Sequence, residues 1–299
     1  MSSYKLEIIT MLSVGSVKRK IRSIKNIRQI TRAMMLVSAA KMKKAEIAIR
    51  SARPYAGSME QIMASVAMRA EKDTHPLLTP REVNRQLVIM VTSQRGLCGG
   101  FNANVTKNTL NFLMQQTIPT SLICIGQKGS LYFKNMNWEM VSNYSFPDKI
   151  TYGECQQIAE EIIELYLSHR FDRIYVSYNE FKSVFQQCPI IKQFIPIEPA
   201  AVSLPGAVHP NKFITDYLYE PSVNIVIEQL MAKGIAIQIQ RILLESAAAE
   251  HSARMVAMES ATKSAGEMIN ALSLSYNRAR QAGITKEITE IVGASEALG

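Results

Sequence analysis

The sequence predicts an α/β fold: a long antiparallel coiled coil of N- and C-terminal helices, plus an α/β domain between them. Three observations predict it. Apolar and small residues recur in heptad-like steps near the N-terminus, short apolar runs alternate with helical stretches in the middle, and a second heptad seam lies near the C-terminus. The expected division is residues 1–15 as an N-terminal extension, 16–70 as the first coiled-coil helix, 71–210 as the α/β domain and 211–299 as the second coiled-coil helix.

The first helix rests on steps of four and three through Val17, Ile21, Ile24, Arg28, Thr31, Met35, Ser38, Met42, Ala45, Ile49 and Ala52, with Arg28 the one misfit. Ile27, Ile30, Met34 and Val37 form a second apolar strip beside that seam, so the helix needs more than one partner face. From Ser16 to Ala70 it would span about 80 Å at 1.5 Å per residue, allowing for a kink at Pro54. In the middle, the runs "QLVIMVT", "SLICIG", "DRIYVSY" and "IKQFIPI" alternate with helical stretches such as Gly153 to His169, which implies a parallel sheet with helices on its faces. From Pro221, well placed as a first helical residue, the chain reads helical to Val292. Met255, Thr262, Ile269 and Tyr276 stand seven apart, as do Met258, Ala265, Leu272 and Ala279. At about 110 Å this helix overshoots its partner, so part of it should project alone.

Charge is concentrated in one element. Twelve Lys or Arg and a single acid, Glu46, lie between Lys18 and Arg53, and the rest of the chain is close to neutral against an overall charge of +9. Clustered bases suit nucleic-acid phosphate, a membrane surface or an acidic protein partner, although no aromatic residue interleaves from Met11 to Pro54. No apolar run approaches the roughly 18 residues of a membrane span, and the first twenty residues carry no signal-peptide pattern. Cys98, Cys124, Cys155 and Cys188 are dispersed, as are the four histidines, which disfavours zinc or a disulfide framework and favours buried thiols.

The stretch "TSQRGLCGGFN", Thr92 to Asn102, follows the first apolar run where a phosphate-binding turn would stand. A Walker loop needs Lys and Ser/Thr after its last glycine, yet Gly96, Gly99 and Gly100 are followed by Phe101 and Asn102. A dinucleotide fingerprint needs Gly-x-Gly-x-x-Gly and an acid about twenty residues on, and no Asp or Glu occurs from Val83 to Met136. Gly96, Gly99 and Gly100 therefore read as a tight strand-to-helix turn. No catalytic triad, paired carboxylates or metal cluster stands out, so neither catalytic residues nor a cofactor are expected.

Taken with "IRSIKNIRQITRAMMLVSAAKMKKA" and "ARMVAMESATKSAGEMINALSLSYNRARQAGITKEITEIVGA", the glycine stretch closely resembles the gamma subunit of F-type ATP synthases, from residue 16 to the C-terminus. The resemblance implies a Rossmann-like α/β domain and a non-catalytic rotor shaft, turned by the proton-driven ring of membrane c subunits. Implied partners are the alpha and beta subunits around the shaft, the epsilon subunit and the c-ring. The implied location is the cytoplasmic face of a bacterial inner membrane or, alternatively, the matrix side of the mitochondrial one, peripheral in either case. Matched to the family's motifs, the resemblance implies that Met34 would face an acidic lever of beta, that Arg280 and Gln281 would engage a beta catch loop, and that Arg254, Thr285 and Glu287 match positions implicated in coupling. This chain departs from the family at Gln94, where Asp is usual, and it lacks the chloroplast regulatory cysteine insertion. A basic coiled-coil nucleic-acid-binding protein is the alternative reading.

Overall fold

The computed structural model describes residues 14–69, 76–79, 81–184, 186–197 and 223–297. They fall into two compact units, divided between Ser38 and Ala39 and between Arg254 and Met255, and each long helix contributes to both. In chain order the elements are α1 (Val14–Arg69), β1 (Gln86–Val91), α2 (Phe101–Gln115), β2 (Thr120–Ile125), α3 (Gln127–Lys134), β3 (Met140–Tyr144), α4 (Tyr152–Leu167), β4 (Arg173–Phe181), β5 (Gln187–Ile195) and α5 (Val223–Ala297). The greater part of the 1–15 extension lies outside the described residues, as do Pro221 and residues 198–210.

The first unit pairs the start of α1 with the last half of α5. Val17, Thr31 and Ser38 are buried and Ile21, Ile24 and Met35 half-buried, while Arg28, the misfit of the seam, is exposed. On α5, Met258, Ala265 and Ile269 are buried and Met255, Thr262, Leu272, Tyr276 and Ala279 half-buried. The Thr262 hydroxyl donates to Thr31 Oγ1 at 2.8 Å, and Gly266 lies by the Arg28 guanidinium, so the two helices run antiparallel. Of the second apolar strip, Ile27, Ile30 and Val37 stay about half exposed and Met34 is half-buried.

The second unit is built on a five-stranded sheet in the order β3-β2-β1-β4-β5. β1 to β4 are mutually parallel, whereas β5 runs antiparallel to β4, which corrects the expectation of a wholly parallel sheet. Only residues 182–186 separate β4 from β5. A parallel return needs a crossover of a dozen residues or more, so this link allows only a hairpin.

Both faces of the sheet are covered, which explains why β1 and β2 read as unbroken apolar runs. Val88, Met90, Leu122 and Cys124 pack against Val105 and Leu113 of α2 and Phe133 of α3. On the opposite face Leu87, Ile89, Ile123 and Val176 pack with Ile158 and Ile162 of α4, and also with Met59 and Met63 of α1 and Ile235 and Leu243 of α5. The inner parts of the long helices are therefore part of the α/β domain's own core.

Candidate functional site

A doubly wound sheet offers a ligand crevice beyond the carboxyl ends of its strands, where successive connections diverge. In the order β3-β2-β1-β4-β5 that point lies between β1 and β4, and the glycine turn leaves β1 at this place. Protein atoms fill it. Cys98 and Phe101 from the turn pack with Phe181 at the end of β4 and with Ala249 and Ala253 of α5. The Asn179 side chain donates to the Phe101 carbonyl at 3.1 Å.

The turn closes on itself through short side chains. Ser93 N–H donates to Asn102 Oδ1 at 3.0 Å, the Asn102 amide donates to Ser93 Oγ at 2.7 Å, and the Ser93 hydroxyl lies 2.6 Å from the Arg95 carbonyl. The Phe101 N–H is spent on the Cys98 carbonyl at 3.2 Å. That N–H is thus not free for an anion at the start of α2. The three glycines differ in what they do. Gly99 takes a left-handed φ of 56° that glycine adopts freely. A Cβ at Gly96 would meet only the Lys128 side chain at ordinary contact distance, and Gly100 caps α2 at an ordinary φ of −81°. Within this turn Leu97, at φ 62° and 66% exposed, is also held in the left-handed region, as Asn137 and His169 are elsewhere.

Arg254 joins this turn to α5. Its guanidinium donates to the Gly96 carbonyl at 3.2 Å and the Arg95 carbonyl at 3.3 Å, and pairs with Glu250 at 2.7 Å. Burial raises the Glu250 carboxyl above its ordinary value, with Arg254 opposing. His251 is pushed down to about 4, by burial first and then by Arg254 and Lys41. A neutral His251 accepts at Nδ1 from the same guanidinium, 3.4 Å away. Glu250 escaped the sequence reading, although its spacing of four before Arg254 marks a helical ion pair. Gln94, in the place of the usual acid, accepts the Phe146 N–H at 3.1 Å.

The other singled-out residues lie elsewhere. Arg280, Gln281, Thr285 and Glu287 sit together on the last turns of α5, all exposed, with the Thr285 hydroxyl bonded to the Gln281 carbonyl. From Arg280 to Ala294 every residue whose burial is described is exposed, and Ile284, Ile288, Ile291 and Val292 are 47–69% exposed. Met34 stands near the Thr31–Thr262 level, far from Arg280 along the pair. The bases Lys18, Arg19, Lys20, Arg22, Lys25, Arg28 and Arg32 all face outward. Among the described residues no group of His, Cys, Asp or Glu could hold a metal ion.

The family model described as ATP synthase matches residues 13–298. The chain belongs to the ATP synthase gamma-chain family. Curated relatives include the ATP synthase gamma chain of Geobacter sp. (strain M21), 42% identical over 291 residues and covering 96% of this chain and 99% of that one. The ATP synthase gamma chain of Anaeromyxobacter sp. (strain Fw109-5) is 44% identical over 295 residues, covering 96% and 100%. Among solved structures, the central stalk and c-ring of Tetrahymena thermophila mitochondrial ATP synthase contains a chain of similar fold, with a TM-score of 0.61, 21% identity and coverage of 78% and 99%. The rotor of Euglena gracilis mitochondrial ATP synthase gives 0.62, 16%, 91% and 98%. These likenesses agree with the paired helices and doubly wound sheet described above.

Proposed function

We propose that this chain is the central rotor shaft of an F-type ATP synthase, non-catalytic itself, coupling rotation of a membrane ring to conformational change in surrounding alpha and beta subunits. The observation that carries the reading beyond family membership is the bare end of α5. A helix that stays apolar and exposed at Ile284, Ile288, Ile291 and Val292, with none of the described residues covering it, calls for a sleeve supplied by other chains. The outward bases of α1 call for an acidic partner surface in the same way. A shaft of this kind acts by contacting each neighbour differently at each angle, and only such differential contact can shift a neighbour's conformational equilibrium.

On this reading Arg280 and Gln281 are presented to a beta-subunit loop, Thr285 and Glu287 line the same contact, and Met34 meets an acidic beta segment from α1. Arg254 acts indirectly, by fixing the glycine turn against α5. The epsilon subunit and the c-ring are the further partners, and the chain reaches the membrane through them: no described helix is long and apolar enough to cross one. We assign it to the cytoplasmic face of a bacterial inner membrane. Co-expression with alpha and beta subunits tests the reading. A stoichiometric complex that hydrolyses ATP is expected, with no hydrolysis by the isolated chain. Failure to assemble with alpha and beta would overturn it.

A further inference from the structure

Within the unit that holds the sheet, α1 and α5 meet at successive levels, and most are polar. A Cβ on Gly234 would strike the Met63 sulfur, so the helices come into close contact there. Further along, Gln238 Nε2 donates to the Ala56 carbonyl at 3.3 Å. The Arg241 guanidinium bridges Glu60 and Glu245 at 3.2 Å each, and Arg53 reaches Glu245 at 3.9 Å. Positions 234, 238, 241 and 245 are spaced by four, three and four, the rhythm of a coiled-coil seam. Glu245 is 1% exposed, and Lys192 of β5 lies in the same charged cluster, its ammonium pushed down by burial and raised by Glu60 and Glu245.

The neighbouring positions Ile235, Ile239 and Ile242 on α5 and Met59, Met63 and Val66 on α1 are apolar throughout, so apart from the Met63–Gly234 contact they discriminate little between registers one heptad, about 10 Å, apart. The polar positions forbid that slip in either direction. Moving the α1 partner seven residues one way sets Glu245 against Glu60 and Gln238 against Met63. Moving it the other way sets Glu245 against Glu46 and Arg241 against Arg53. Both slips bring like charges together and strand buried polar groups, which is the best-attested use of polar residues in an apolar seam.

We propose that this ladder, centred on Arg241, sets the axial register of α5 against α1 and holds the two helices against sliding. Arg241 is thus a positioning residue in a shaft that must bear torque, and the claim concerns the chain alone, whatever its partners.

The test measures a distance rather than an activity. Spin labels are placed on non-natural residues at the exposed positions Ser58 and Lys233 of the full chain, leaving the native cysteines unlabelled. The unaltered ladder should give one narrow distance. Arg241→Met alone should lower the denaturant midpoint, because it takes the nearest cation from the buried Glu245 and from the half-buried Glu60. The triple variant Arg241→Met, Glu60→Gln, Glu245→Gln removes the central arginine and both of its acids, and its distance distribution should split or broaden as other registers become populated. One unchanged narrow distance in a folded triple variant would overturn the proposal. If the triple variant does not fold, Arg241→Gln with Glu60→Gln is read by the same criterion.

Discussion

Arg254 holds two backbone carbonyls and a buried carboxylate at once, so removing it leaves Glu250 unpaired inside the protein. Arg254→Ala should cost about 3 kcal/mol in denaturant unfolding, the usual scale for breaking a buried ion pair, and should speed amide exchange across residues 96–100. Adding Glu250→Gln should recover part of the loss. His251 makes the same cluster acid-sensitive. Its folded value lies near 4 against an ordinary 6.5, so the unfolded chain binds more protons between those limits. The stability His251 contributes is complete above pH 6.5 and is lost as pH falls toward 4. Glu250, shifted upward, works in the opposite sense just above its ordinary 4.5. The His251→Gln variant isolates the histidine: its unfolding midpoint should fall less steeply from pH 6.5 to 4 than that of the parent chain. An identical slope would remove His251 from the account.

At the scale of elements, the exposed end of α5 separates stability from function. Arg280, Gln281, Thr285 and Glu287 are all exposed among the described residues, so Arg280→Ala with Gln281→Ala should change stability by no more than about 0.5 kcal/mol. The same pair should weaken coupling of ATP hydrolysis to rotation in the assembled complex, and unimpaired coupling would sink the proposed catch. The seams were legible residue by residue, because a helix buries one stripe and the first seam stays at least partly buried everywhere except at Arg28. The direction of β5 was not. The apolar runs "DRIYVSY" and "IKQFIPI" stop short of the true strand ends, Phe181 and Gln187, and so conceal the short link that makes a hairpin. β3, "MVSNY", went unseen because an edge strand that is only half covered needs no apolar run. Gly126, at φ 101° and packed on the Thr92 carbonyl where no Cβ would fit, also went unseen, since no pattern in sequence reports that contact.

For the molecule as a whole, charge and apolar surface face outward where a free-standing protein would hide or balance them. Among the described residues the bases of α1 have few acids beside them: Glu46 pairs with Lys43 and Arg50, and Glu245 with Arg53. The apolar strip of Ile27, Ile30 and Val37 and the end of α5 are likewise uncovered. That surplus was readable from sequence, because counting charges and heptads needs no tertiary knowledge. The filling of the sheet's crevice by α5 was not, because it depends on which distant helix returns to the glycine turn. A bead fixed to this chain within an immobilised alpha/beta complex tests the central claim most directly. The bead should turn in one direction when ATP is supplied. A complex that hydrolyses ATP at full rate while the bead stays still would contradict it.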